Sequence, residues 1–458
     1  VKVVLLNACA VTPPRDHVQR TLPHLRTGVA SIAAEARRRG HAVRILDPVT
    51  AGLSLDAFLD DILSGGPDVV GLSAFTEEVE DAGLIAEEIK RRAPQVRVVI
   101  GGYHASAVPE RTLEEFPAFD AAVIGEGEIA FCEMLARADW EKVAGLAVRH
   151  PDGSVVRTAA RRDLPDMDAL EFPAWELADA SRYMGRIPVE TSRTCPFGCS
   201  FCYQATDPKV RYKSPERVVD EVELAVRVHG AREISFFSAG SFPLSRKHGE
   251  AVCRGLLARG LRVPWLTGTR ADLVDPELLA LMKESGCVYI SLGIETGDEA
   301  VLRECRKGVT LERVETALRQ IHEAGIESEM CFILGLPGDT PATLRRTARF
   351  AARMGRYAEL ANFAILTPFP GSRIYEDAVA GRGDIRITGA PWCDYSKHGG
   401  LAARHKAFAP GQLRRAQLAM YLRFYLGNPV KLARLLRSRN FREILTLRRV
   451  LALLGRIA

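Results

Sequence analysis

The sequence predicts an α/β protein with two parallel-stranded domains followed by a mostly helical region. Strand and helix patterns alternate through residues 1–137, break off over residues 138–185, and resume from residue 186 to residue 375. Residues 376–458 are predicted to be mostly helical. The 458 residues are enough for two to four domains of about 100–200 residues each.

The first domain is predicted to contain a doubly wound parallel sheet. Helical patterns separate its five strand candidates, which are Val3–Leu6, His41–Leu46, Val69–Leu72, Val96–Ile100 and Ala121–Ile124. A long loop with prolines at 13, 14 and 23 follows the first strand. Sheets of this kind bind ligands at the carboxyl ends of their strands. That edge carries Ser73, Gly101, Gly102, Gly125, Glu126 and Gly127.

Residues 138–185 break the alternation and are predicted to link the two domains. The segment Val148–Val155 contains Asp152-Gly153, a dipeptide that favours a tight β-hairpin turn. After this hairpin, the prolines at 165 and 173 indicate an extended chain.

The second domain, residues 186–375, is predicted to be a partial barrel. Helical segments separate six strand candidates, which are Val189–Thr191, Glu233–Phe237, Val263–Gly268, Val288–Ile294, Glu329–Leu334 and Ala361–Leu366. Six such units fit a partial (β/α)6 barrel better than a closed eightfold one. The chemistry of a barrel sits at the C-terminal ends of its strands, and a cysteine-rich loop follows the first strand here.

Composition and charge narrow the class of protein. Apolar residues make up 47% and charged residues 26% of the chain, which excludes disordered and collagen-like classes. No apolar run approaches the roughly 18–20 residues of a membrane span, and the first residues resemble a strand rather than a signal peptide, so we expect a cytoplasmic protein.

The positive charge is concentrated at the C-terminus. The net charge is +5, but residues 411–458 contain eleven Lys or Arg and one acid, Glu443. Apolar residues recur there at helical spacing from Leu432 to Leu454. Such a basic helix packs on the body of the protein, or it contacts an acidic partner or an anionic membrane surface. We expect the first, with no nucleic-acid partner.

Three of the ten cysteines form a cluster in the sequence. Cys195, Cys199 and Cys202 fall within eight positions, whereas the other seven are scattered and are expected to be small buried hydrophobes. Three thiolates in one loop can ligate three irons of a cubane iron–sulfur cluster and leave the fourth iron open. Zinc is the alternative, but structural zinc takes four ligands, usually as two separated pairs, and no second Cys-x2-Cys occurs.

The motif Cys195-x3-Cys199-x-Phe201-Cys202 resembles that of the radical S-adenosylmethionine superfamily. The segments Ser291–Gly297, Lys307-Gly308, Phe332–Asp339 and Thr367–Gly371 resemble strand ends of its barrel. In the first domain, Gly101–His104 with Pro109, and Gly125–Glu128, resemble the Rossmann-like cobalamin-binding domain fused to one branch of the superfamily. The likeness covers residues 1–375.

The resemblance implies a [4Fe-4S] cluster on the three cysteines, with S-adenosylmethionine on the fourth iron and a 5′-deoxyadenosyl radical as the product of its cleavage. Five residues are predicted to contact S-adenosylmethionine: Phe201, Ser238, Arg270, Glu295 and Pro337. Glu295 is placed near the methionine amine or ribose, with a barrel-mouth ion pair as its alternative role. Arg270 is placed near the carboxylate, and Ser238 or Ser241 replaces the acid that often ends the second strand of the family.

For cobalamin, the resemblance implies binding along Ser73, Gly101, Gly102, Gly125, Glu126 and Gly127. Proteins that place a histidine below cobalt use Asp-x-His-x-x-Gly after the first strand. Here Asp16 and His17 are adjacent and Arg20 stands at the glycine position, so we expect base-off cobalamin without a histidine ligand. His17 and His104 are expected to be ordinary loop residues.

The resemblance favours a methyltransferase that acts on an unactivated carbon through the 5′-deoxyadenosyl radical and methylcobalamin. The alternative is a non-methylating enzyme that catalyses ring closure, ring contraction or rearrangement. A non-catalytic cobalamin sensor is a third class, but the intact cysteine loop argues against it. A flavodoxin or ferredoxin is the expected electron donor. No motif identifies the substrate. Four residues just after the barrel could face the site, but a structural role is expected for each: Trp392, Cys393, Tyr395 and His398.

Overall fold

The protein is described from a computed structural model that covers residues 1–8, 10–12, 17–19, 26–47, 53–178, 185–203, 209–238, 241–396, 402–426 and 431. In chain order the strands are β1 (Lys2–Asn7), β2 (Ala10–Thr12), β3 (His17–Gln19), β4 (Ala42–Leu46), β5 (Leu53–Ser54), β6 (Val69–Ser73), β7 (Arg97–Gly101), β8 (Ala121–Val123), β9 (Leu146–Arg149), β10 (Val155–Arg157), β11 (Arg186–Arg193), β12 (Arg211–Tyr212), β13 (Glu233–Ser238), β14 (Trp265–Thr269), β15 (Cys287–Glu295), β16 (Glu327–Leu334), β17 (Leu360–Ile365), β18 (Ile385–Ile387) and β19 (Ala403–His405).

The helices are α1 (Thr27–Arg38), α2 (Leu55–Leu63), α3 (Val79–Arg92), α4 (Tyr103–Ala107), α5 (Pro109–Glu115), α6 (Gly127–Ala136), α7 (Pro215–Arg227), α8 (Arg246–Ala258), α9 (Pro276–Glu284), α10 (Glu299–Glu304), α11 (Leu311–Glu323), α12 (Pro341–Met354), α13 (Arg373–Val379) and α14 (Gln412–Leu426). Several begin at a polar residue whose side chain accepts a backbone N–H, as Ser214 does for α7 and Asp275 for α9. In both, proline occupies the first helical position, where no N–H is needed.

The first sheet confirms the predicted doubly wound arrangement. Its strand order is β10-β9-β8-β7-β6-β1-β4, and the five predicted strands all pair in parallel. The hairpin predicted around Asp152-Gly153 is formed by β9 and β10, which pair antiparallel. It is part of the first sheet rather than a free linker, because β9 pairs with β8, the last of the parallel strands. Edge pairing satisfies backbone groups that the sheet would otherwise leave open.

The loop predicted after the first strand contains unpredicted strands. Strands β2 and β3 lie in it and pair antiparallel, and β3 also pairs with β5 to form a small three-stranded sheet. Strands of two or three residues carry too little periodicity to be detected from sequence. The predicted loop is therefore wrong over residues 10–12 and 17–19.

The second sheet confirms the partial barrel. Its order is β12-β11-β13-β14-β15-β16-β17, with six parallel strands at the predicted places and the short antiparallel β12 at one edge. Ile290, Leu292 and Ile294 of β15 face the surrounding helices and are buried, whereas the alternating Ser291 and Gly293 face the lumen and are only half-buried. The other barrel strands alternate in the same way, so the lumen is open to solvent.

The described part of the C-terminal region contains two short strands in addition to helices. Strands β18 and β19 form an antiparallel pair before α14, and Trp392 and Tyr395 between them are buried in the core of the first domain. These two side chains therefore pack between domains. Cys393 is exposed. His398 lies outside the described residues. The basic segment 432–458 also lies outside them. Within the described part of the chain, no helix is long and apolar enough to cross a membrane.

Helix α14 covers the open edge of the barrel. The Tyr425 hydroxyl accepts a hydrogen bond from the Ala361 N–H and donates one to the Ala361 carbonyl, both at 2.9 Å. The Tyr421 hydroxyl accepts from the Phe363 N–H at 3.1 Å, and the Gln417 amide donates to the Phe363 carbonyl at 2.6 Å. These side chains pair the backbone groups that β17 would otherwise leave open at the sheet edge.

Candidate active site

The cysteine loop leaves the end of β11 and is anchored to two neighbouring segments. The Ser200 N–H donates to the Cys305 carbonyl at 3.0 Å, and the Ile374 N–H donates to the Ser200 carbonyl at 3.0 Å. Thr194 enters the loop with a φ of 70°, which is unusual for a β-branched residue. These contacts fix the loop at the C-terminal end of the barrel, as predicted.

Two of the three thiols, those of Cys199 and Cys202, lie near cations. Cys199 is buried, Cys195 is half-buried and Cys202 is exposed. A hydrogen bond with Cys202, aided by the charges of Lys307 and Arg270, lowers the pKa of Cys199 to about 6, while the same hydrogen bond raises the pKa of Cys202. A lowered pKa favours the thiolate, which is the form that binds iron.

Three thiolates from one loop are a donor set that suits an iron–sulfur cluster. In the part of the chain that is described, no three cysteine, histidine or acidic side chains already converge as a closed metal centre. Cys199 and Cys202 interact directly, but the structure does not bring all three thiols to one point. The assignment of Cys195, Cys199 and Cys202 as cluster ligands thus depends on their spacing and surroundings.

Glu295 forms a buried ion pair. Its carboxylate lies 2.6 Å from the Lys307 ammonium, and the residue has a φ of 72° at the end of β15. Burial alone would lower the pKa of Lys307, but the Glu295 charge holds it above its ordinary value. The structure therefore contains the ion pair that was the alternative role for Glu295, and its contact with S-adenosylmethionine stays a prediction.

Arg270 points its charge at the cysteine loop. Its guanidinium lies 3.5 Å from the Cys199 sulfur and 3.6 Å above the Phe197 ring, and it donates to both Asp272 oxygens and to the Lys307 carbonyl. This network fixes its position beside the cluster ligands. Its contact with a carboxylate of S-adenosylmethionine stays a prediction.

The other predicted S-adenosylmethionine contacts lie around the same end of the barrel. Phe201 packs against the small cluster that contains Leu336, and Pro337 is half-buried in the turn after β16. Ser238 is the last residue of β13, but its side chain lies outside what is described. Ser241, its proposed substitute, is buried.

The carboxyl edge of the first sheet brings its predicted glycines together. Ser73 pairs with Gly101 across β6 and β7. Gly102 has a φ of 98°, and a Cβ there would lie 2.6 Å from the Ala74 carbonyl oxygen, so only glycine fits. The Gly125 N–H, in the next loop along this edge, donates to the Ser106 hydroxyl at 2.9 Å.

An aromatic surface adjoins these glycines. Phe75 and Tyr103 are exposed and stack with ring centroids 5.7 Å apart. A flat apolar surface beside a glycine edge fits a planar macrocycle such as the corrin of cobalamin. His17 has no described side chain, and His104 is buried against Trp392, with burial lowering its pKa to about 4. His104 is thus packed against Trp392 rather than presented as a cobalt ligand, and base-off binding stays a prediction.

Glu126 belongs to an ion-pair network that the sequence did not reveal. Arg193 contacts Glu126 and Glu128 of the first domain at 2.6 Å each, and Arg211 also contacts Glu126. Burial disfavours the charge on Glu128, but Arg193 holds the pKa of that carboxyl below its usual value. The position of Arg193 two residues before Cys195 is the only local signal that could have drawn attention to it.

This combination of sheet, barrel and cysteine loop defines a cobalamin-dependent radical enzyme. The Radical SAM superfamily model matches residues 189–351, and the B12-binding domain model matches residues 19–135. An uncharacterized methyltransferase of Pyrococcus horikoshii, PH0819, is 30% identical over 92% of this chain and 93% of its own length. The chain therefore belongs to the radical S-adenosylmethionine superfamily, in the branch with a B12-binding domain. Its cofactors are a [4Fe-4S] cluster, S-adenosylmethionine and cobalamin, and such enzymes need a reductant.

Two further proteins resemble the chain. The anaerobic magnesium-protoporphyrin IX monomethyl ester cyclase of Rubrivivax gelatinosus is 32% identical over 76% of this chain and 65% of its own length. The radical S-adenosylmethionine methyltransferase TsrM of Kitasatospora setae, solved with cobalamin and a [4Fe-4S] cluster, superposes with a TM-score of 0.71 at 20% identity and covers 92% of this chain and 90% of its own. The latter likeness confirms the fold.

Proposed function

We propose that the protein is a methyltransferase that transfers a methyl group to an unactivated carbon of its substrate. One contact carries the proposal: the ring of Tyr103 lies 5.2 Å from the ring of Tyr203. Tyr103 directly follows Gly101-Gly102 on the cobalamin side, and Tyr203 directly follows Cys202 on the cluster side. This contact supports the proposal, because it brings the two predicted cofactor sites next to each other, as transfer of a group between them requires.

The chain's own residues position the reaction. When bound, the cluster with S-adenosylmethionine supplies the radical and cobalamin supplies the methyl group. Lys307 and Arg270 hold positive charge at the cysteine loop, and the half-buried inner faces of the barrel strands leave room for a substrate in the lumen. Similarity to PH0819, which carries a methyltransferase name, agrees with the proposal.

A non-methylating reaction is the second candidate. The cyclase of Rubrivivax gelatinosus is 32% identical to this chain, which is close to the value for the methyltransferase relative. Both reactions begin with cleavage of S-adenosylmethionine, but only methyl transfer also releases S-adenosylhomocysteine. The products therefore distinguish the two candidates.

The test uses reconstituted, cobalamin-loaded protein with S-adenosylmethionine that carries a deuterated methyl group. After reduction by flavodoxin, ferredoxin or dithionite, we expect S-adenosylhomocysteine together with transfer of the label to cobalamin extracted in the dark. Deoxyadenosine without S-adenosylhomocysteine, and without label in cobalamin, would favour the second candidate. A protein in which all three loop cysteines are replaced by alanine serves as the control and should give neither product.

Contacts with other partners are separate proposals. Flavodoxin or ferredoxin is proposed as the physiological reductant, and the substrate is a small molecule or a protein side chain. Contact of the basic C-terminal segment with an anionic membrane is an alternative to its packing on the body. Flotation with anionic vesicles, compared at low and high salt, tests the membrane alternative because electrostatic attraction weakens with salt.

A further inference from the structure

The buried Arg193 joins the two cofactor domains through ion pairs. Arg193, at the end of β11, places one guanidinium nitrogen 2.6 Å from Glu126 and another 2.6 Å from Glu128, both at the start of α6 in the first domain. The same guanidinium lies 2.9 Å from Glu190 of its own strand. Only 13% of the Arg193 side chain and 4% of the Glu128 side chain are exposed. One side chain thus holds carboxylates from both domains.

The position of this network along the chain links it to both cofactor sites. Arg193 is followed by Thr194, whose left-handed φ of 70° begins the loop with Cys195, Cys199 and Cys202. A non-glycine residue in that conformation persists only where its surroundings fix it. On the other side, Glu126 lies between Gly125 and Gly127, at the edge predicted to bind cobalamin.

The chemistry of the network requires arginine. The guanidinium has a planar fork of five donors, so it can contact several carboxylates at once in fixed directions. A lysine ammonium is a single point charge and cannot reproduce this geometry. Arg211 contacts the second oxygen of Glu126 and donates to the Pro165 carbonyl at 3.0 Å, so it supports the network without reaching Glu128.

The network is not what holds the domains together. Val29 and Ala30 of α1 share one buried apolar cluster with Ile187 and Val189 of β11. This apolar contact supplies a non-directional attraction between the domains. An apolar contact does not by itself fix the distance between the cobalamin-binding edge and the cysteine loop. Directional contacts such as ion pairs are needed to fix that distance. Arg193→Gln leaves the buried Glu128 charge without its partner and is expected to lower stability, but the apolar contact is expected to keep the domains docked.

We propose that Arg193 is a positioning residue that fixes the separation between the cobalamin-binding edge and the cysteine loop. Loss of the network moves the two sites relative to each other. Methyl transfer between them is therefore slowed, whereas cleavage of S-adenosylmethionine at the cluster is not. The methyl-transfer part of this inference rests on the proposed function.

The experiment compares Arg193→Gln and Arg193→Lys with Arg246→Gln in the holoenzyme. Arg246 is a matched control, because it also contacts three carboxylates, those of Glu250, Asp275 and Glu277, but on the surface of the barrel alone. The first readout is the dipolar interaction between cobalt(II) and the reduced cluster in electron paramagnetic resonance, which reports their separation without turnover. The second is the ratio of S-adenosylhomocysteine to deoxyadenosine.

We expect Arg193→Gln to alter the dipolar interaction and to lower the product ratio by about 10- to 100-fold, since small misplacement of reacting groups has effects of this size. Iron content and deoxyadenosine formation should stay within about twofold of wild type, and Arg246→Gln should change neither readout. In Arg193→Lys, the ratio of S-adenosylhomocysteine to deoxyadenosine should stay below half of the wild-type value. If Arg193→Gln leaves both readouts at wild-type values, the inference is wrong.

Two further outcomes are decisive. If Arg193→Gln fails to fold, Glu126→Gln takes its place and should change the dipolar interaction in the same direction; an unchanged interaction there overturns the inference. If wild-type protein forms no S-adenosylhomocysteine, the proposed function fails, but the dipolar readout still decides the role of Arg193.

Discussion

The Lys307 ammonium lies 2.6 Å from the Glu295 carboxylate, and both side chains are buried where the barrel opens towards the cysteine loop. Arg270 donates to the backbone carbonyl of Lys307 at 2.7 Å, so the two cations are held together. Their charges act on Cys199 and favour its thiolate. The barrel mouth thus offers positive charge to the anionic thiolates that a cluster needs.

Replacing Lys307 by methionine is expected to destabilise the protein. The change leaves the Glu295 charge buried without its partner, which typically costs about 3–5 kcal/mol. Combining Lys307→Met with Glu295→Gln should recover most of the loss, because the unpaired charge is then gone. Denaturant unfolding of the three proteins measures both effects. Equal stability of Lys307→Met and wild type would contradict the assigned pair.

Replacing Cys199 by alanine is expected to abolish the cluster. The protein loses one of three thiolates that its loop can offer to iron, and cleavage of S-adenosylmethionine is lost with it. Iron content and visible absorbance after anaerobic reconstitution are the measurements. Cys393→Ala is the control, because this exposed cysteine lies outside the loop and should retain full iron. Retention of iron and cleavage by the triple cysteine variant would show that the loop is not the cluster site.

Replacing Gly102 by alanine is expected to weaken both folding and cobalamin retention. A Cβ at this φ of 98° would lie 2.6 Å from the Ala74 carbonyl oxygen. We expect a loss of more than about 1 kcal/mol in the free energy of unfolding. Gly28→Ala is the control, since a Cβ at Gly28 in α1 would have no atom within 4 Å, and helix propensity makes that change neutral or stabilising. Cobalamin retained after gel filtration should fall only in the first variant.

Replacing Glu329 by glutamine is expected to change how stability depends on pH. Burial raises the pKa of Glu329, against a smaller lowering by the hydrogen bond from the Tyr289 hydroxyl at 2.7 Å. Above the ordinary value of 4.5, the unfolded chain loses this proton while the native protein keeps it, so the free energy of unfolding falls as pH rises.

The Glu329→Gln variant lacks this titrating group. Its free energy of unfolding should therefore rise relative to that of wild type as pH increases from 4.5 towards the raised pKa. Melting temperatures of both proteins, measured as pH rises from 4.5, give the difference in slope. Glu327→Gln, at an exposed position of the same strand, is the control. Parallel curves for Glu329→Gln and wild type would refute this prediction.

Replacing Tyr425 by phenylalanine is expected to destabilise the barrel edge. The change leaves the N–H and carbonyl of Ala361 without the hydroxyl that contacts both at 2.9 Å. Unpaired buried polar groups cost about 1–3 kcal/mol. Hydrogen exchange at the β17 amides, with the exposed Tyr212→Phe as control, should show faster exchange only in Tyr425→Phe.

The sequence by itself determined the features that depend on nearby residues. The strands and helices of both domains follow from periodicity within short segments, and the three cysteines lie within eight positions of one loop. Ser73 and Gly101 could be assigned to one predicted binding edge because the carboxyl ends of parallel strands meet at the same edge of a sheet. In the structure the two residues pair at that edge.

Tertiary structure alone decided the contacts between distant segments. Arg193 lies 67 positions from Glu126, and Tyr425 lies 64 positions from Ala361, so no period or spacing relates either pair. Such contacts depend on how the two domains and α14 pack, which is set by the shapes of apolar surfaces formed only after folding. Trp392 shows the same limit: the sequence favoured a structural role without naming its partners, and packing places the side chain in the core of the first domain.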